Sequence, residues 1–199
     1  MKSIVTAICI ILISSNCFAQ KKLSTAVSGG ISDLKEIDND QMEIGNYYSA
    51  ISSFKAGVNY DLFKRDSTRF FSNVGLAISA KGAKLNFPGV PGVPEYEAAS
   101  WIERFYSFDL PIVLNYKFEK FLIIRGGINS SLLFATSNFQ GMTEKKPFTF
   151  GLLGGGTIRI KRYTLNIEYI YDFSDMLRFS NYDISYRNTL LHFGVGYYF

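Results

Sequence analysis

Apolar and polar side chains alternate along most of this 199-residue chain. The stretch 106–118 shows the pattern most clearly: its even positions are aromatic or aliphatic, and its odd positions carry most of the polar and charged side chains. Successive side chains of a β-strand point to opposite faces, so this period of two predicts strands with one apolar face. Eight candidate strands follow, at residues 22–31, 47–63, 68–82, 101–118, 121–135, 148–160, 163–172 and from about 188 to 199.

The connections between these strands alternate in length. An even number of antiparallel strands, with short turns at one end and long loops at the other, is typical of bacterial transmembrane barrels. A soluble eight-stranded barrel such as a lipocalin would place its apolar face inside, but here the charges share a face with glycine, serine and asparagine. We therefore predict an all-β fold, an eight-stranded antiparallel up-and-down transmembrane β-barrel. The predicted short turns are 64–67, 119–120 and 161–162, and the predicted long loops are 32–46, 83–100, 136–147 and 173–187.

Both ends of the chain fit a barrel of the bacterial outer membrane. Residues 1–19 combine a basic start, an apolar run and small residues before Gln20, which is the pattern of a cleaved signal peptide. The apolar run is shorter than the ~20 residues of a spanning helix. We expect a signal peptide at 1–19 and one barrel domain at 20–199. The final strand resembles the C-terminal assembly signal of outer-membrane barrels, with Phe193, Val195, Tyr197 and Phe199 on its apolar face.

The cysteine positions argue against a disulfide or a cysteine metal site in the barrel domain, and the net charge argues against nucleic-acid binding. Cys9 and Cys17 both lie in the expected signal peptide, so the barrel domain would contain no thiol, disulfide or cysteine metal site. Lipid attachment at Cys17 is an alternative, which Asn16 disfavours because a small residue is expected there. The formal net charge of +4 is too weak to indicate nucleic-acid binding.

Aromatic side chains, 16% of the chain, concentrate near the predicted strand ends. Amphipathic rings at both membrane interfaces would form two girdles, although strands favour aromatic residues in any case. The girdle expected near the short turns comprises Tyr60, Phe63, Phe70, Phe71, Tyr116, Phe118, Phe121, Tyr163, Tyr197 and Phe199. The girdle expected near the long loops comprises Tyr47, Tyr48, Trp101, Phe105, Phe148, Tyr171 and Tyr186.

A family resemblance begins at Tyr106, Asp109, Pro111, Tyr116 and Phe118, which form an aromatic-x-x-acid-x-Pro-aliphatic-x-x-x-Tyr-x-Phe pattern. This pattern resembles a strand of the PorT-like family of outer-membrane β-barrel proteins. The stretches 126–133, 150–156 and 165–169 resemble later strands of that family, so the resemblance covers essentially the whole mature chain. It implies an eight-stranded outer-membrane barrel. The family's namesake acts with the type IX secretion and gliding apparatus, and the family supplies no catalytic motif.

The predicted inner face receives charges of both signs. An eight-stranded barrel is only wide enough for its own side chains, and buried charges must be paired. An ion-paired plug is therefore the favoured interpretation, and a narrow solute or proton path is the alternative. The inward charges by this register are Lys55, Asp61, Lys81, Glu103, Asp109, Lys117, Arg125, Arg159, Glu168 and Asp172. We expect the lumen polar network to comprise Lys55, Asp109, Arg125, Arg159, Glu168 and His192.

Catalysis is the third interpretation of the inner face. A hydrolase needs a nucleophile, a base and an orienting acid within reach of one another. Ser131, His192 and Glu168 are such residue types, but nothing in their spacing selects them. We therefore expect no enzymatic activity, no catalytic residue and no cofactor.

Two of the long loops carry weaker signals. Asp38 and Asp40 resemble a calcium-ligand pair, but the loop lacks the glycine and glutamate spacing of an EF-hand, so a solvated acidic loop is favoured and we expect no metal site. The stretch 87–96 repeats a Pro-Gly-Val unit, which favours turns and extended polyproline conformation. A shaped surface loop is the simpler interpretation, and a partner-binding loop through Pro88, Pro91, Pro94 and Tyr96 is the functional one.

Together these patterns predict a small integral barrel of the bacterial outer membrane, with a structural or partner-binding role as an accessory of a secretion or envelope machine. We expect both termini on the periplasmic side, a monomeric barrel, and contacts with outer-membrane lipid, with the barrel-assembly machinery during insertion and with envelope or secretion proteins. A narrow solute channel and an outer-membrane lipid hydrolase are the two alternatives.

Overall fold

The computed structural model describes residues 23–38, 48–62, 69–87, 99–137, 144–179 and 184–199. The expected signal peptide at 1–19 and the proposed docking residues Pro88, Pro91, Pro94 and Tyr96 lie outside these ranges. Within the described ranges, no helix has the length and apolar character needed to cross a membrane.

The described residues form ten strands in one antiparallel sheet. Eight of the strands are long, and the sheet closes because the first pairs with the last, from Ser24 opposite Tyr198 to Asp38 opposite Ile184. The predicted eight-stranded antiparallel up-and-down barrel is therefore confirmed. The strands are β1 Leu23–Asp38, β2 Tyr48–Asp61, β3 Phe70–Phe87, β4 Ala99–Lys117, β5 Leu122–Ser137, β6 Glu144–Lys145, β7 Phe148–Ile160, β8 Tyr163–Asp172, β9 Leu177–Phe179 and β10 Ile184–Tyr198.

The two additional strands lie at the end of the barrel where the long connections are. β9 pairs with the first residues of β10, and β6 pairs with β9 in turn. The opposite, short-turn end includes the connection of β7 to β8, where Lys161 has a φ of 56°. This left-handed backbone is one that tight turns use.

Several predicted strand limits at the long-loop end are wrong. β1 continues to Asp38 instead of ending near residue 31, β3 continues to Phe87, and β10 already begins at Ile184. β7 and β8 match their predicted ranges. The extended parts carry polar residues such as Asp33 and Lys35, so the alternation that marks a membrane-facing strand is lost there although the ladder continues.

Side chains divide between the two faces of the barrel as the alternation predicts. Outward residues of all eight long strands are exposed and apolar, among them Leu76, Leu110 and Ile167, whereas Asp109 and Glu168 are buried on the inner face. The four residues of the expected assembly signal lie on the outer face of β10, with Phe193 58% and Val195 60% exposed. Their role in assembly stays a prediction.

Two adjacent glycines of β5 have opposite environments. A Cβ on inward Gly127 would lie 2.2 Å from the carbonyl oxygen of Ile112, whereas a Cβ on outward Gly126 would meet nothing within 4 Å. The backbones of β4 and β5 thus approach so closely at Gly127 that no side chain fits. Inward Gly155 of β7 has the same relation to Ile167, with a distance of 2.2 Å.

Candidate functional site in the barrel lumen

The barrel lumen collects the charged side chains that the alternation predicts for the inner face. The ten predicted inward charges are buried or half-buried, and five are basic and five acidic. Basic residues predominate toward the short turns and acidic residues toward the long loops. Lys117 lies over the ring of Phe71 at 5.6 Å, and Arg159 lies over the ring of Tyr198 at 4.3 Å.

The centre of the lumen contains one carboxylate between two cations. Lys55 of β2 donates to Glu168 of β8, and the Nη1 atom of Arg125 of β5 lies 3.8 Å from the second oxygen of Glu168. These three side chains are only 11–12% exposed. Charges so far from water need partners, and this set links three strands across the lumen.

His192 of β10 lies next to this set and is 1% exposed. Its Nε2 atom is hydrogen-bonded to Ser53 Oγ at 2.7 Å, and its Nδ1 atom has no hydrogen-bond partner. Ser131 instead accepts hydrogen bonds from Asn129 at 3.0 Å and from Lys81 at 3.3 Å. The serine, histidine and acid named from the sequence are therefore not joined as a triad. The serine beside His192 is Ser53, which the sequence analysis did not single out.

A second ion pair lies closer to the long-loop end. Lys81 Nζ lies 3.4 Å from Asp172 Oδ2, and both side chains are at most 1% exposed. Asp109 accepts a hydrogen bond from Ser107 at 2.9 Å, and Ser107 is bonded in turn to Ser79 at 2.9 Å. Lys81 and Asp172 therefore belong to the polar plug, although the sequence placed them only on the inner face and not in its central set.

An apolar cluster fills the lumen at the long-loop end; we call it the outer seal. Met176, from the segment between β8 and β9, is 1% exposed and its N–H donates to the carbonyl of Tyr186 at 2.8 Å. Tyr48 packs against the cluster, with its ring 4.8 Å from that of Tyr186. The members of the outer seal are Leu34, Ala83, Phe105, Met176 and Tyr186.

Part of the predicted girdles is wrong. Phe105 and Tyr186 belong to the outer seal and Tyr48 packs against it. At the other end Phe71 is 3% exposed, so none of these four rings faces lipid. Phe71, Phe105 and Tyr186 lie on the inner face by strand register. The sequence signal that could have predicted the outer seal is the presence of apolar residues at inward positions near strand ends. Their contacts with one another depend on pairings between strands that are far apart in sequence.

Two small cavities lie among the described residues at the centre and short-turn half of the lumen. The first has a volume of about 50 Å³ and is lined by Lys55, Arg125, Glu168 and His192 among others. The second has a volume of about 30 Å³ and includes Tyr198 in its wall. Because one water needs about 10–15 Å³ by this measure, each cavity has room for only a few waters. Both are lined by Ala26, Asn59, Arg125 and Asn166.

Aromatic pairs remain on the outer face of the barrel. Near the short turns Phe70 lies 4.8 Å from Tyr116 and Tyr163 lies 5.4 Å from Tyr197, and in the long-loop half the rings of Phe108 and Phe134 are 4.5 Å apart. No group of residues able to hold a metal ion occurs in the part of the chain that the structure describes. A closed antiparallel barrel with an apolar exterior and a polar, filled interior is the architecture of small transmembrane β-barrels.

Comparisons with known proteins assign neither a family nor a role to the chain. No protein-family model matches the chain, and no curated protein matches it significantly. Solved structures similar to it include Neisserial surface protein A, with 13% identity over 88% of this chain and 97% of that chain and a TM-score of 0.48. The outer membrane protein OprG from Pseudomonas aeruginosa has 13% identity over 90% of this chain and 97% of that one, with a TM-score of 0.49.

The outer membrane protease OmpT from Escherichia coli is also similar, with 8% identity, 89% and 97% coverage and a TM-score of 0.46. Identities and TM-scores this low bear on neither the activity nor the partners of this chain.

Proposed function

We propose that this chain is a small integral β-barrel of the bacterial outer membrane, with a structural or partner-binding role as an accessory of a secretion or envelope machine. The observation that carries the proposal is the combination of an apolar outer face with a lumen filled by paired charges and closed by the outer seal. A barrel without an open path acts through its surfaces rather than through transport.

The outer face supports the membrane location. Large hydrophobic side chains on every long strand are exposed, among them Tyr163 at 66% and Val195 at 60%. Soluble proteins rarely expose a continuous apolar patch above a few hundred Å², because each Å² left in water costs roughly 25 cal/mol. Lipid contact removes this cost around the whole barrel. The expected signal peptide agrees with export to the outer membrane.

The long-loop end supports the partner-binding role. There the strands extend beyond the apolar face and carry outward charges, including Lys35, Arg104 and Arg187. Arg187 pairs with Asp175 at 3.1 Å, and both side chains remain 25–29% exposed. The PorT-like resemblance, carried by residues 106–118, favours an envelope or secretion partner. We propose that both termini of the barrel face the periplasm, since Leu23 and Phe199 lie together at the short-turn end.

A narrow solute channel is the second candidate, and the two cavities that share Arg125 favour it. Conduction would require the outer seal to open, because Phe105 is 0% and Met176 is 1% exposed. Lipid hydrolysis is less well supported. The pair formed by Ser53 and His192 lies inside the lumen, where a lipid cannot reach it, and no acid orients His192 Nδ1. We therefore propose a monomeric, non-enzymatic barrel without a cofactor.

Isolation of the tagged protein from native membranes in mild detergent tests the proposed role. We expect other envelope proteins to co-isolate in stoichiometric amounts. Replacement of residues 88–96 by a Gly-Ser linker of equal length should reduce that recovery, whereas replacement of the short turn 119–120 should leave it unchanged. A lone, folded, heat-modifiable monomer in all three preparations would contradict a partner-binding role.

A further inference from the structure

Arg125 has an incomplete set of partners within the lumen. Its side chain is 12% exposed, and its Nη1 atom lies 3.8 Å from Glu168 Oε2, beyond ordinary hydrogen-bond length. Its Nε atom is buried and has no hydrogen-bond partner. An arginine offers five N–H donors and has no neutral form in proteins, so a buried arginine requires acceptors.

The set of Lys55, Arg125 and Glu168 carries a net positive charge. Arg125 and Lys55 share the single carboxylate of Glu168, so this set has two cations for one anion. The next lumen carboxylates make their direct contacts elsewhere, since Asp172 contacts Lys81 and Asp109 accepts a hydrogen bond from Ser107. The cavity of about 50 Å³ lies where the excess charge is, and Lys55, Arg125 and Glu168 line it.

We propose that this cavity is a binding site for one small inorganic anion of the halide class, held by Arg125 and Lys55. The site goes beyond the proposed role of the barrel and does not depend on it. Its volume corresponds to about three or four waters, which admits a halide with one or two waters and excludes sugar phosphates and lipid headgroups.

The anion would enter from the short-turn end. The outer seal closes the other end of the lumen with Phe105, Met176 and Tyr186. The second cavity lies on the short-turn side of Arg125, and its lining includes Asn73 and the neutral amide of Asn115. The guanidinium group of Arg125 therefore borders a second small polar cavity on the side of that end.

Bromide substitution tests the site directly because bromide scatters X-rays anomalously. Protein refolded in a neutral detergent is crystallised with bromide as the main anion, and anomalous maps are calculated for the wild type, Arg125→Met and Arg159→Met. We expect one lumen peak beside Arg125 in the wild type and in Arg159→Met, and none in Arg125→Met. No lumen peak in the wild type, or an unchanged peak in Arg125→Met, would overturn the proposal.

Melting temperature supplies a readout without a crystal. Because an ion that binds only the folded state stabilises it, bromide at constant ionic strength should raise the melting temperature of the wild type saturably and that of Arg125→Met not at all. If Arg125→Met does not refold, Lys55→Met is measured in its place, and we expect the same loss of the bromide-dependent rise in melting temperature. Equal bromide responses in all variants would contradict a site at these residues.

Discussion

A charge placed on the outer face of β4 should destabilise the barrel according to its depth. Outward Leu110 is 45% exposed and lies between Phe118 at the short-turn end and Arg104 near the long loops. With a rise of about 3.3 Å per residue and a strand tilt of about 40°, each residue advances about 2.5 Å along the membrane normal. Phe118 and Arg104 are then about 35 Å apart, and Leu110 lies about 20 Å from Phe118, close to the midplane.

Leu110→Arg should therefore reduce the free energy of unfolding by ~2–4 kcal/mol, the cost of an arginine on the lipid face near the midplane. Phe118→Arg is the matched control, since its side chain is 57% exposed and it follows the last residue of β4 at the short-turn end. Its cost should be only ~0–1 kcal/mol. The assay is a denaturant titration of the wild type and both variants, folded into vesicles of one lipid.

The difference in the free energy of unfolding between Leu110→Arg and Phe118→Arg tests whether the outer face of β4 lies in lipid. Equal costs at Leu110 and Phe118, or a Leu110→Arg variant as stable as the wild type, would refute the lipid-facing assignment of β4. A soluble barrel would tolerate both substitutions because an exposed arginine remains in water.

Three further predictions test the lumen and the backbone by the same titration. Glu168→Gln should cost ~3–5 kcal/mol because it leaves Lys55 and Arg125 buried without their shared carboxylate, and adding Lys55→Met should recover part of that loss; no recovery would count against the pair. Gly127→Ala should cost ~1–3 kcal/mol through its backbone clash, while Gly126→Ala should be close to neutral, and equal effects would disprove the close approach. Phe105→Ala should cost ~3–5 kcal/mol as a fully buried ring is lost, and a change below ~1 kcal/mol would mean that the outer seal is not tightly packed.

The inward or outward direction of each side chain could be predicted from the sequence, because a membrane barrel has lipid on one face of its sheet and the lumen on the other. Leu110 lies in a lipid-facing position and its sequence neighbour Asp109 in a lumen position. Apolar and polar residues must therefore alternate along the strand with a period of two. The limits of β1 and β10 could not be predicted in this way. Beyond the membrane both faces of these strands meet water or protein, so Asp33 and Lys35 resemble loop residues although they remain in the ladder.

The contacts within the lumen depend on register around the whole barrel. Ser53 and His192 are 139 residues apart and meet only because β1 lies between β2 and β10 in a closed sheet. Met176 reaches the outer seal from a segment with no periodic pattern. The alternation predicts which residues point inward. It does not predict which inward residues contact one another, because those contacts depend on the register of strands that are distant in sequence.

Ion conductance across a planar lipid bilayer tests most directly whether the lumen is closed. The wild-type protein, refolded and inserted at single-molecule density, should produce no current steps, since the outer seal and the paired charges fill the described part of the lumen around small cavities such as those of about 50 and 30 Å³. Reproducible single-channel steps from verified, fully folded wild-type protein would contradict the plugged barrel and favour the solute channel.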